Sequence, residues 1–200
     1  MKQKAKEKGG HMSPINWLKD VDAAFKQAKS QNKPVLLDFS AAPAWSGCAR
    51  LEAEVYPNQK VSQYITSNFL PLKIHINEQP QTFQRFKAKW TPTILIVDSE
   101  GTEKYRTEGF MPVEDFLAHL ELGLAKLSFD KLQYAEAEKS FRSIYQNYPQ
   151  AGAAPEAAYW AGVSAYKATK KVESLGETGM LLKELYPDSE WTRKASVWIP

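Results

Sequence analysis

The chain of 200 residues has one cysteine, Cys48, and a lone thiol excludes any internal disulfide framework. No run of 18 or more apolar residues occurs, so nothing in the sequence is expected to span a membrane. The glycines never gather into a phosphate-binding loop. His75 and His119 have no thiol or imidazole partners at metal-ligand spacing, so neither a metal nor a cofactor is expected. Excess charge is also missing. The net charge is +3, and Lys2, Lys4, Lys6 and Lys8 against Glu7 already carry +3. The remainder is neutral, and the basic balance is no argument for a nucleic-acid partner.

Residues 1–11, MKQKAKEKGGH, have the composition of an expression tag: lysines, a Gly-Gly spacer, then His11-Met12 as a cloning scar around a start codon. They are set aside from fold reasoning. A chain opening MSPINWLKD has no signal-peptide pattern, which favours the cytoplasm. A signal trimmed away before tagging would imply a periplasmic or secreted setting instead.

What is present is 43% hydrophobic, enough for one or two globular domains with real cores. Trp17, Val21, Ala24, Phe25 and Ala28 recur at helical spacing and predict a helix over 15–30. Val35, Leu36, Leu37 and Phe39 form a strand too continuously apolar to have a wet face. A helix carrying Cys48, Leu51 and Val55 on one stripe follows. Further expectations are a helix over 61–69, a strand over 70–76, a helix over 81–88 and a strand over 94–97. Asp98-Ser99-Glu100-Gly101 reads as a hairpin turn. A long amphipathic helix begins near Val113, with Phe116, Leu117, Leu120 and Leu124 inward.

The segment KPVLLDFSAAPAWSGCARLE, 33–52, reads as a buried strand, a loop and a helix start. Some forty residues later comes Trp90-Thr91-Pro92-Thr93, followed by an apolar run. These two stretches resemble the active-site motif and the cis-proline loop of thioredoxin-like proteins. The resemblance implies an α/β fold, a central mixed sheet flanked by helices, over residues 12–127. Such proteins read D-F-x-A-x-W-C-x-x-C. If Cys48 is the second thiol, the first thiol's position falls on Trp45, with one inserted residue between Ser40 and Ala44. Without the insertion the two positions fall on Ala44 and Gly47. Neither alignment supplies a pair.

In a dithiol enzyme the first cysteine attacks from a helix N-terminus, and the second resolves the mixed disulfide. An indole at position 45 can do neither. Cys48 remains a candidate thiol, either inert packing or a monothiol open to glutathione or a partner protein's thiol. The resemblance makes Asp38 a candidate proton relay beneath the site, with a raised pKa expected from burial. It makes Trp45, Ser46, Gly47, Thr91 and Pro92 candidates for docking an extended polypeptide. The bland counterparts are a hydrogen-bonded structural acid and a loop that only positions its strand.

Residues 128–200 echo themselves. Tyr148-Pro149 recurs as Tyr186-Pro187, 38 residues on, and each proline precedes a tryptophan by eleven residues, Trp160 and Trp198. Ala157 and Ala195 also correspond. Together with Tyr134, Ala137, Phe141 and Gly162, these positions resemble tetratricopeptide repeats, giving an all-α helical-repeat segment. Its uncovered apolar surface must pack on the first domain, on a second copy in a homodimer, or on a partner.

The function expected is a protein-binding or scaffold module of thioredoxin-like fold without a dithiol. The alternative is a monothiol oxidoreductase using Cys48, and a third possibility is a parent sequence with cysteine at position 45 or 46. A protein or peptide partner is expected, with no nucleic acid.

Overall fold

The computed structural model describes residues 15–199, so the tag expected at 1–11 lies outside the described residues. A mixed four-stranded sheet organises the first half. Its strands are β1 (Val35–Ser40), β2 (Leu70–His75), β3 (Thr93–Val97) and β4 (Glu103–Glu108), in the order β2-β1-β3-β4. β2 runs parallel to β1, while β3 and β4 are antiparallel to their neighbours. Every residue of β1 is buried, as its uninterrupted apolar run demands of a central strand covered on both faces. The hairpin between β3 and β4 forms where the sequence places it. The Asp98 carboxylate accepts from the backbone N–H groups of Glu100 and Thr102 at 3.0 and 2.8 Å, and Gly101 supplies the left-handed φ of 89°.

Helices α1 (Val21–Gln31), α2 (Ser46–Arg50), α3 (Gln59–Asn68), α4 (Pro80–Arg85) and α5 (Val113–Asp130) surround the sheet. A π-helical turn, Leu51–Val55, continues α2. Several boundaries differ from the sequence reading, α1 by the most, while α4 ends at Arg85, three residues short of the expected 88. α1 starts at Val21, because the Asp20 carboxylate caps it by accepting from Ala23 N at 2.8 Å. Residues ahead of the cap do other work. Leu18 pairs with Leu72 at the β2 edge, donating to Pro71 O and accepting from Lys73 N, both at 2.9 Å. Trp17 packs edge-on against Tyr56, with centroids 5.0 Å apart.

The strand alternation splits the core in two. Val35, Leu37 and Phe39 face α1 with Leu72, Ile74 and Leu95. Leu36, Ile94 and Ile96 face α5, through Phe116 and Leu120. This second core continues without a break into α6 (Tyr134–Asn147), α7 (Ala154–Thr169), α8 (Glu173–Leu185) and α9 (Glu190–Ala195). α5 therefore serves both halves, runs three residues past the boundary expected at 127, and lies so close to the sheet that a Cβ at Gly123 would run into Ile96.

The 38-residue echo has a backbone counterpart. Tyr148 ends α6 with φ −128° and ψ 57°, its N–H donating to Ile144 O; Tyr186 ends α8 with φ −137° and ψ 55°, donating to Leu182 O. Ile144 and Leu182, likewise 38 apart, are both fully buried, as are Ala157 and Ala195. The tryptophans part company. Trp160 lies within α7 against Phe129, while α9 ends at Ala195, leaving Trp198 in a 3-10 turn stacked on Tyr159. Among the described residues, no helix is long and apolar enough to cross a membrane.

Candidate functional site

The C-terminal end of β1 delivers the chain through a loop, Ala41 to Ala44, onto the start of α2. Trp45 is the N-cap residue, with extended backbone and no side-chain cap bond. Its N–H donates to Ala41 O at 3.2 Å, and its carbonyl accepts from Ala49 N at 3.0 Å. Ser46 and Gly47 form the first turn. Cys48 follows on the inward face, 1% exposed, with its Sγ accepting from Ala41 N at 3.3 Å. A position at a helix N-cap is where unpaired N–H groups would favour a thiolate. An indole occupies it here, and the one thiol of the chain sits a turn deeper.

The Pro92 loop lies against this helix start. The Ala42–Pro43 and Thr91–Pro92 peptides are both cis. A Cβ at Gly47 would stand 3.0 Å from Pro92 Cδ, so glycine is what lets the helix approach the proline. Pro92 O accepts from Gly109 N at 2.8 Å, and Trp90 O accepts from Thr93 Oγ1 at 2.8 Å. Thr91 is buried. The rim above is aromatic. Trp45 and Trp90 meet edge to face with centroids 5.0 Å apart and stay 48% and 52% exposed. Arg50 lies 3.8 Å over the Phe110 ring and pairs with Glu54. Of the sequence candidates, Trp45, Ser46, Gly47, Cys48 and Pro92 come together, and Thr91 lies buried in the Pro92 loop.

Asp38 belongs to a buried layer that it forms with Tyr56 and Lys73. Its Oδ2 accepts from Tyr56 OH at 2.8 Å and lies 3.7 Å from Lys73 Nζ, while Oδ1 has no hydrogen-bond partner among the described residues. Lys73 also pairs with Glu52, and its ammonium stands 4.3 and 4.5 Å from the Trp17 and Tyr56 rings. Burial is the largest influence on the Asp38 carboxyl and pushes it up to about 6, against the pull of Lys73 and the Tyr56 hydrogen bond. Burial, followed by the Asp38 charge, raises Tyr56 well above the usual phenol range.

Tyr56, Lys73, Glu52 and Trp17 were not read from the sequence as parts of this layer. One signal existed: Lys73 interrupts the apolar stretch 70–74, and the structure places it in register with Asp38. Among the described residues, no group of three His, Cys, Asp or Glu side chains is placed to hold a metal ion.

The family model for a thioredoxin-like domain matches residues 21–124. The thiol:disulfide interchange protein DsbD of Yersinia pestis strain Pestoides F is 32% identical over 118 residues, 56% of this chain but 19% of that protein. A thioredoxin of Alicyclobacillus acidocaldarius is 31% identical over 100 residues, 50% of this chain and 90% of that one. Among solved structures, the DsbH oxidoreductase superposes with a TM-score of 0.54 at 12% identity, covering 62% of this chain and 94% of its own; this likeness speaks for the fold alone. The chain thus spans about a fifth of the DsbD proteins it matches.

Proposed function

We propose that this chain, which belongs to the thioredoxin-like family, is a polypeptide-docking module without dithiol chemistry. One observation carries the reading: an exposed aromatic pair, Trp45 with Trp90, stands at the helix start where a dithiol member presents its attacking thiol. A single sulfur cannot both attack a disulfide and resolve the product. The surface beside Pro92 remains, and two half-exposed indoles enlarge it. The helical segment, 128–200, extends the module as a tetratricopeptide-like unit. Support for that comes from the matching ends of α6 and α8. Its uncovered face is available to a partner protein or a second copy.

A second reading uses Cys48 as a monothiol. Its thiolate would attack a sulfur of oxidised glutathione or of a partner's disulfide, forming a mixed disulfide and expelling the other sulfur as thiolate. The buried carboxyl of Asp38, unpartnered at Oδ1 and titrating near 6, supports this reading as a proton acceptor below the site. The burial of Cys48 weighs against it.

Two measurements separate these readings. Thiol titration should give slow labelling of Cys48 in native buffer and fast labelling in denaturant, with no reduction of insulin disulfides. An unfolded protein with blocked thiols, titrated onto the labelled chain, should shift the backbone amide signals of residues 45–48 and 90–92. Immediate stoichiometric labelling would favour the monothiol, and unmoved amides would overturn the docking module.

A further inference from the structure

The charge around Trp90 is one-sided. From Gln79 to Val97 the sequence has no acidic residue, while Arg85, Lys87 and Lys89 lead into Trp90. All three cations are exposed, and none takes part in an ion pair among the described residues. The stretch that bears them is held in place. Lys87 N donates to Gln84 O at 2.9 Å and Ala88 N to Phe83 O at 3.1 Å, closing α4, and Arg106 Nη2 donates to Phe86 O at 2.7 Å. Arg85 lies 5.4 Å over the Phe86 ring.

Elsewhere on the rim each cation has a carboxylate partner. Arg50 is paired with Glu54, and Arg106 is shared between Glu103 at 2.7 Å and Glu108 at 3.8 Å. Lys87 and Lys89 are the cations beside Trp90 without a carboxylate partner among the described residues. We infer that the partner of this site is an acidic, extended polypeptide segment. An aromatic or aliphatic side chain of that segment anchors on the exposed faces of the Trp45–Trp90 pair, and its carboxylates lie toward Lys87 and Lys89. The inference rests on the docking reading and adds the chemical class of the partner. Buried aromatic contacts supply most of the affinity in such interfaces, while complementary charge sets specificity and association rate. Nucleic acid would present a longer run of phosphates than three cations can follow, in a chain that is neutral apart from residues 1–11.

The test is selection from a random-peptide library displayed on phage, panned against the full chain, followed by titration of the enriched peptides. Enriched sequences should combine acidic residues with an apolar anchor. The double variant K87E/K89E should bind them about tenfold more weakly, K87R/K89R should bind as wild type, and added salt should weaken wild-type binding. Both substitutions are at exposed positions, and an unchanged circular dichroism spectrum identifies a folded variant. Enrichment of neutral or basic peptides that Trp90→Ala abolishes would overturn the acidic preference and leave the docking module standing. No enrichment at all would overturn both. Tighter binding of a single-stranded oligonucleotide than of any peptide would also overturn the assignment.

Discussion

Asp38 and Lys73 stand opposite each other in the parallel register of β1 and β2, with Lys73 Nζ 3.7 Å from Asp38 Oδ2. Even so, burial wins, and the carboxyl lies near 6, above its ordinary value of 3.8. A carboxyl raised on folding holds its proton more tightly in the folded state. The stability this contributes is complete below pH 3.8 and is lost as pH rises through about 6. Two units of difference correspond to about 3 kcal/mol. Denaturant titrations should show a loss of up to that size between about pH 4 and about pH 7, and Asp38→Asn should flatten it. The same slope in the variant would assign the loss to other groups.

Trp45→Cys should convert the site. The new thiol would sit at the N-cap of α2, three residues before Cys48, where N–H groups and the helix dipole favour a thiolate. The oxidised variant should contain no free thiol, and the reduced variant should reduce insulin while the parent chain does not. A variant with two persistent thiols under oxidising conditions would show that position 45 is not the partner of Cys48.

Gly123→Ala should cost about 1 to 3 kcal/mol, because the added methyl meets Ile96 on β3. Ile96→Val in the same chain should recover part of the loss, making the pair non-additive in a double-mutant cycle. Equal costs with and without the Ile96 change would place the strain elsewhere.

Ending the chain at Asp188 removes Trp191 and Trp198, which pack on Tyr159 at 5.1 and 4.6 Å, together with the buried Ala195. The shortened protein should melt at lower temperature or self-associate. Trp198→Ala alone should cost less than the 3 to 5 kcal/mol, roughly, of a fully buried tryptophan, since Trp198 is only partly buried. A monomer with an unchanged melting curve would mean that the last helix adds nothing to the packing.

The parts of the fold that local rules govern were legible in the sequence. The apolar run at β1, the Asp98 turn and the inward stripe of α5 each depend on residues a few positions apart, and each stands where local pattern put it, except that Leu124 is only partly buried. The stripe with Leu51 and Val55 likewise foretold the burial of Cys48. Trp17 misled because it keeps helical spacing with Val21, whereas Asp20 can cap a helix only by starting it afterwards. The layer around Asp38 was the larger omission. It assembles residues from 17 to 73 through strand register, and no local spacing announces that an ammonium will lie between two rings and two carboxylates.

α5 has one face on the sheet and another on α6, and the core it joins is continuous from Leu36 to Ala195. Among the described residues no linker separates the halves, because α5 belongs to both. Heat or denaturant should therefore take the two down together, in one cooperative transition. Any surface that α6 to α9 offer is tied to the sheet through the packing of α5.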